Sequence, residues 1–289
     1  MPPLIVIVGE TASGKSALAL ELARRFNGEL ICADSWTVYK GFDIGTAKPT
    51  AAERAAVPHH LLDVADPAAG FSAVLFQKLA KQAIADIAAR GKLPIMVGGT
   101  GLYIDSVLFD YGFLPATDPV LRAQLNAMTL QELIKRADAL GLDVAGIDLR
   151  NKRRVIRLIE NNGVRPTRRP LRENTLLLGI KLDAEQLPVR ITHRIDAMLA
   201  AGLESEVKQL AEKYSWAAEP MKGIGYGEWA AYFAGDQTLA ETRQRIIKDT
   251  LDLAKRQRTW FKRNSSIHWL HNRGKLTEAV AVITPFLNK

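Results

Sequence analysis

The segment Gly9-Glu10-Thr11-Ala12-Ser13-Gly14-Lys15-Ser16 constrains this chain more than any other, because it sits between the apolar run Leu4 to Val8 and an amphipathic stretch beginning at Ala17. Two glycines, a lysine and a serine at this spacing make a phosphate-binding loop. Its backbone N–H groups and those of the following helix N-terminus surround phosphate oxygens, the lysine adds positive charge, and the serine hydroxyl can hold Mg²⁺. The pattern arises by chance in on the order of one chain in a hundred of this length. The competing reading is a tight glycine turn that binds nothing. A strand, loop and helix in direct succession favour the phosphate site.

The rest of the chain supplies the sheet that such a loop needs. Leu4 to Val8 is short and β-branched, as expected of a strand buried on both faces. Ala17 to Phe26 reads as a helix closed by Asn27-Gly28. Leu30 to Ala33 reads as a second strand ending at Asp34-Ser35, and Ser72 to Arg90 as a long amphipathic helix. Leu93 to Val97 is a third strand that runs into Gly98-Gly99-Thr100-Gly101. Alternating strands and helices predict an α/β fold: a P-loop NTPase-like parallel sheet flanked by helices, with ligands outside the carboxyl ends of the strands. From about Leu114-Pro-Ala-Thr-Asp-Pro119 to Pro170 only helical periodicity remains, with Leu130, Leu133, Ile134, Ala137 and Leu140 on one face and Val155, Ile156 and Ile159 on another. The predicted organisation is a core of residues 1–115 and 173–289, with a helical insertion at 116–172. Leu176 to Leu182 resumes as a strand, Leu187 to Leu199 and Ser205 to Tyr214 as helices, and Thr238 caps a last long helix reaching about Arg263.

Charge is unevenly placed. The net charge of +8 is concentrated in two segments: Arg150 to Arg172 holds nine Lys/Arg against one acid, and Arg243 to Arg263 holds eight against two. The remainder is net acidic, so the basic segments read as a localised polyanion footprint rather than a mixed solubilising surface. The single Cys32 excludes an internal disulfide and reads as a small residue ending a strand. No basic leader precedes an apolar stretch and no apolar run approaches membrane-spanning length, so the sequence predicts a cytoplasmic protein with no membrane partner.

Which phosphate compound the loop holds is a separate question. An ATPase would place a metal-binding Asp at the end of a neighbouring apolar strand. Here the third strand ends in Gly98-Gly99-Thr100, and Asp34 leads into Ser35, Trp36 and Tyr39, which read as a substrate loop rather than a metal clamp.

Several further blocks resemble one family. Gly-x-Thr-Ala-Ser-Gly-Lys-Ser at 9–16, Ala33-Asp34-Ser35 with Tyr39, Asp43-Ile-Gly-Thr-Ala-Lys-Pro49, Pro58-His-His-Leu61, Gly98-Gly-Thr-Gly-Leu-Tyr103, Asp118-Pro119 with Arg122, Gly223-Ile-Gly-Tyr226 and Ala254-Lys-Arg-Gln-Arg-Thr-Trp260 are similar to the signature blocks of the tRNA dimethylallyltransferases, in family order. The resemblance implies transfer of a dimethylallyl group from dimethylallyl diphosphate to N6 of adenosine 37 in the anticodon stem-loop of tRNA. The P-loop, residues Gly9 to Ser16, would then hold the donor's diphosphate, with Mg²⁺ as cofactor through Ser16. Asp34 would be the general base, and Thr100 and Arg122 would assist the leaving group. The tRNA contacts implied are Asp34, Ser35, Trp36 and Thr37; Arg153, Arg154, Val155, Ile156 and Arg157; Lys222, Gly223, Ile224, Gly225, Tyr226 and Gly227; and Lys255, Arg256, Arg258 and Lys262. Trp36, Tyr226 and Trp260 are candidates to stack on a base turned out of the loop. The protein is expected to act as a monomer.

The chain departs from the family pattern at Glu10, where Pro is common, at Trp36, where a small residue is usual, and at Gly227, where Arg is common. Glu10 puts a carboxylate beside a bound anion unless it points outward. Three other readings compete: a related enzyme acting on free AMP or ADP, a P-loop small-molecule kinase, and a non-catalytic RNA-binding protein. The two basic segments argue against the first, the Gly98 to Tyr103 and Gly223 to Tyr226 blocks against the second, and Lys15, Ser16 and Asp34 against the third.

Overall fold

The structure, a computed structural model, describes residues 1–115, 118–183, 185–271 and 275–288. Residues 1–108 and 171–289 form one compact unit and residues 109–170 another. The sequence put these boundaries at 116 and 172; residue 116 lies outside the described residues.

In the larger unit six strands, β1 (Leu4–Val8), β2 (Gly28–Ala33), β3 (His59–His60), β4 (Leu93–Gly98), β5 (Thr175–Lys181) and β6 (Ile267–His271), make one sheet in the order β3-β2-β4-β1-β5-β6. Every pairing is parallel. β1, β2 and β4 are buried along their whole length, which explains their apolar runs; the one charge among them, Glu29 of β2, is paired with Arg90 and His60. The helices Lys15–Arg25 and Lys275–Leu287 seal part of this core, with Leu18, Leu22, Ala279 and Ile283 packed together with Ile5, Ile7, Leu178 and Ile180. Each such buried aliphatic side chain contributes roughly 1.5–3 kcal/mol.

The register assembles the site. Val8 pairs with Gly98, and Gly98 with Ala33, so the last residues of β1, β4 and β2 stand side by side. The P-loop, Asp34-Ser35 and Gly99-Thr100 leave from those adjacent ends. Only glycine permits this at position 98, because a Cβ there would lie 2.0 Å from the Ala33 carbonyl oxygen. The helix Gly101–Leu108 follows directly.

The smaller unit contains three helices, Pro119–Ala127, Leu130–Ala139 and Lys152–Glu160. Asp118, Thr129 and Asn151 cap them by accepting backbone N–H bonds. Its core is Leu125, Leu133, Ala137, Val155, Ile156 and Ile159. Val155 and Ile156, grouped above with the basic contacts, are therefore the buried stripe that seats the helix, while Arg153 and Arg154 on the same helix are exposed.

The two outer strands β3 and β6 and the helices Ala51–Ala56, Gly101–Leu108 and Lys275–Leu287 are additions to the sequence prediction.

Candidate active site

Gly14 caps the helix Lys15–Arg25 with φ of 84°, a left-handed conformation that favours glycine and turns the loop back over the helix N-terminus. The Lys15 ammonium donates to the Glu10 carbonyl at 3.1 Å, which folds the side chain back across the loop. Burial pulls the Lys15 pKa down to about 8, helped by Arg194 and opposed by Asp34 and Glu10. Arg194, from the helix Gln186–Ala200, is pulled down by burial and supported by Asp34. Its guanidinium donates to the Thr11 hydroxyl at 3.4 Å. Two desolvated cations thus line one cavity with Thr11, Ser16, Asp34, Thr37 and Gln257. Cations left short of solvent and counter-charge are what an anionic ligand stabilises.

Asp34 sits just beyond the end of β2. Its Oδ1 accepts the backbone N–H groups of Trp36 (2.9 Å) and Thr37 (3.3 Å), which fixes the carboxylate and leaves Oδ2 for another partner. Thr100 Oγ1 accepts the Ser35 N–H at 3.0 Å, so Thr100 joins the β2 and β4 loops. The Thr37 hydroxyl is buried, lines the cavity and has no hydrogen-bond partner. A buried orphan hydroxyl costs free energy until a ligand completes it. Cys32 also lines the cavity, but burial pushes its thiol up to about 12, so it remains a neutral packing group.

Glu10 has a clear partner. Its carboxylate is buried and accepts both arms of Arg258, Nε at 2.6 Å and Nη2 at 2.7 Å. Arg258 was grouped with the tRNA contacts; its planar fork is committed to neutralising the loop's own carboxylate. Lys255, Arg256 and Lys262, near the same end of the helix Leu239–Phe261, are exposed. Tyr226 is likewise reassigned: it is fully buried, packs on Phe42 with ring centroids 4.8 Å apart, and donates its hydroxyl to Glu206 at 2.7 Å. It cannot stack on a base. Trp36 is partly exposed and lies against Gly223. Trp260 packs on Gly101, donates to Asp105 at 3.0 Å and carries the Arg263 guanidinium over its ring. Lys222 is exposed beside Glu219, and Gly223, Gly225 and Gly227 form the turn that holds Tyr226 inward. In the smaller unit, Arg122 makes a two-pronged ion pair with the buried Glu160, which Arg157 also approaches at 3.5 Å.

Residues 37–264 match the profile of the IPP transferases. The chain belongs to the IPP transferase family. The tRNA dimethylallyltransferase of Roseiflexus sp. (strain RS-1) is 45% identical over 282 residues, covering 91% of each chain. That of Bacillus subtilis (strain 168) is 41% identical, covering 92% of this chain and 90% of the relative. Among solved structures, a tRNA isopentenylpyrophosphate transferase from Staphylococcus epidermidis is 36% identical with a TM-score of 0.75, covering 100% of this chain and 99% of its own. A eukaryotic dimethylallyltransferase described as acting on tRNA is 28% identical with a TM-score of 0.83, covering 100% of this chain and 80% of its own. The doubly flanked parallel sheet is the fold of this family.

Three residues to which the sequence reading gave no role build this member's site: Arg194 and Glu206 lie outside every motif, and Gln257 lies inside the block Ala254 to Trp260. Arg194 supplies the second cation. Gln257 accepts the Thr11 N–H at 2.7 Å and donates to the Gly99 carbonyl at 3.1 Å, so one amide fastens the P-loop to the β4 loop. Glu206 accepts the N–H groups of Asp43 (3.1 Å), Ile44 (2.7 Å) and Gly45 (3.1 Å) besides the Tyr226 hydroxyl. It ties the loop whose Thr46, Ala47 and Pro49 wall the cavity to the Gly223–Gly227 turn. Only its position on a helix was visible in the sequence.

Proposed function

We propose that this chain transfers a dimethylallyl group from dimethylallyl diphosphate to N6 of adenosine 37, beside the anticodon of tRNA, as a monomer in the cytoplasm. The observation that carries the reading is one cavity lined by Lys15 and Arg194 on the P-loop side and by Asp34 at the end of β2. An anionic leaving group and an amine that must lose a proton need that pairing of charges. Among the described residues no helix is long and apolar enough to cross a membrane.

In the reaction the bond from C1 to the diphosphate oxygen breaks, N6 bonds to C1, diphosphate departs and the N6 proton passes to Asp34. Loop amides, Lys15 and Arg194 stabilise charge growing on the leaving oxygen. Asp34, with Oδ1 pinned by two amides, presents Oδ2 to the amine. Mg²⁺ fits this site: no described residue bonds the Ser16 hydroxyl, and no described cluster of three carboxylates, His or Cys competes for a metal. One protein oxygen plus diphosphate and water oxygens is an ordinary Mg²⁺ shell, which would neutralise leaving-group charge. Exposed Arg153 and Arg154, with Lys255, Arg256 and Lys262, supply the phosphate contacts to tRNA.

The test is incubation with Mg²⁺, labelled dimethylallyl diphosphate, and either unmodified tRNA or AMP. Label enters tRNA at adenosine 37, and entry into AMP alone overturns the reading. Asp34→Ala abolishes transfer while leaving tRNA affinity within about threefold; equal loss of both makes Asp34 a structural residue.

A further inference from the structure

Lys275 opens the helix Lys275–Leu287, outside every motif discussed above. Its ammonium nonetheless reaches the P-loop. A Cβ placed on Gly14 would lie 2.6 Å from Lys275 Nζ and 3.9 Å from its Cε, so the side-chain tip is pressed against the α-carbon of Gly14. Lys275 is absent from the lining of the cavity that holds Lys15 and Arg194, and therefore approaches the loop from outside it.

The geometry points to Lys275 as a second ammonium for the bound diphosphate, contacting the phosphate distal to the reacting carbon across the Gly14 turn. This rests on the reading of the P-loop as a diphosphate cradle. Among the described residues Lys275 has no hydrogen-bond or ion-pair partner. Its nearest charge influence is another cation, Arg190, and burial together with Arg190 lowers its pKa. The contrast with Arg258 is instructive, since that cation reaches the same loop and finds a carboxylate. An ammonium set against the phosphate loop with no described acid beside it forms a site whose counter-ion comes from outside the protein. Gly14 also acquires a second reason to be glycine, because any side chain there would displace this ammonium.

A contact to the distal phosphate is the same before and during C1–O cleavage, so it acts on binding rather than on the chemical step. Lys275→Met and Lys275→Arg in the full chain are compared with wild type by calorimetric titration with inorganic diphosphate and Mg²⁺, alongside steady-state transfer to tRNA. We expect Lys275→Met to weaken diphosphate binding about tenfold and to raise KM for dimethylallyl diphosphate similarly. We expect kcat and tRNA affinity to stay within about twofold, the melting midpoint not to fall, and Lys275→Arg to retain most of the affinity. Unchanged diphosphate affinity in Lys275→Met overturns the proposal. So does a loss matched by a fall in melting midpoint that Arg does not restore, which would make Lys275 a packing residue. If wild type itself failed to bind diphosphate, the proposed function would fall and this contact with it.

Discussion

Replacing Arg258 by Ala strips the paired guanidinium from a carboxylate lodged in the phosphate loop. The Glu10 side chain is 8% exposed and Arg258 34% exposed, so the pair lies at the edge of the interior. Breaking a fully buried pair costs about 3–5 kcal/mol, and the solvent access of Arg258 reduces this to roughly 1–2 kcal/mol of stability. The effect on ligand is larger. At an effective dielectric near 20, a bare carboxylate about 7 Å from a bound phosphate opposes each phosphate charge by about 2.4 kcal/mol, or roughly fiftyfold in affinity. Calorimetric titration with Mg²⁺ and diphosphate should show that loss in Arg258→Ala. The double variant Glu10→Gln with Arg258→Ala should recover most of it, since the carboxylate that needed neutralising is gone. If Arg258→Ala instead keeps diphosphate affinity, loses tRNA affinity and is not rescued by Glu10→Gln, then Arg258 is an RNA contact and the electrostatic argument fails.

Lys15 titrates near 8 in the free protein, whereas bound diphosphate favours its charged form. Diphosphate affinity should therefore fall as pH rises above 8, approaching tenfold per unit, with proton uptake on binding; a flat profile from pH 7 to 9.5 would refute it. Glu206→Ala orphans three backbone N–H groups and the Tyr226 hydroxyl, and should lower stability by about 2–4 kcal/mol in denaturant unfolding, with Glu206→Gln losing less. Glu228, which accepts the Gly225 N–H at 2.9 Å, is raised by burial to about 7, above the ordinary carboxylate value of 4.5. Between those values the folded chain binds the extra proton, so this group's contribution to stability declines as pH rises from 4.5 to 7. Glu228→Gln should leave stability near pH 4.5 unchanged and gain up to about 2–3 kcal/mol at pH 8; an equal effect at both would show that charge is not the cause.

The central strands were legible because strands buried on both faces must be apolar without interruption. β1 and β4 obey that rule along their length, and β2 and β5 obey it over residues 30–33 and 177–180. β3 is two histidines and carries no periodicity, and β6 alternates buried Ile267 and Leu270 with exposed His268 and His271, like many surface segments. In the site, the P-loop and the placement of Asp34 and Thr100 at strand ends were readable from local pattern, whereas the roles given to Asp34 and Thr100 came from the family resemblance. Arg194, Gln257 and Glu206 were not, since each acts on a loop distant in sequence and looks locally like any polar helix residue. The same blindness made Tyr226 and Arg258 look like RNA contacts. Phe42, against which Tyr226 packs, and Glu10, which holds Arg258, lie about 180 and 250 positions away along the chain, and Glu206, which takes the Tyr226 hydroxyl, lies on a separate helix.

The hold of Gln257 on both Thr11 and Gly99 sets an order of events during synthesis. The first hundred residues carry the P-loop, Asp34-Ser35 and Gly98-Gly99-Thr100, yet a nascent chain of that length has an untethered loop and a carboxylate with no guanidinium. β5, which completes the pairing of β1, emerges only after the helical unit, and the amide and guanidinium that finish the loop emerge some eighty residues later still. The ribosome therefore exposes the phosphate loop long before it can grip anything.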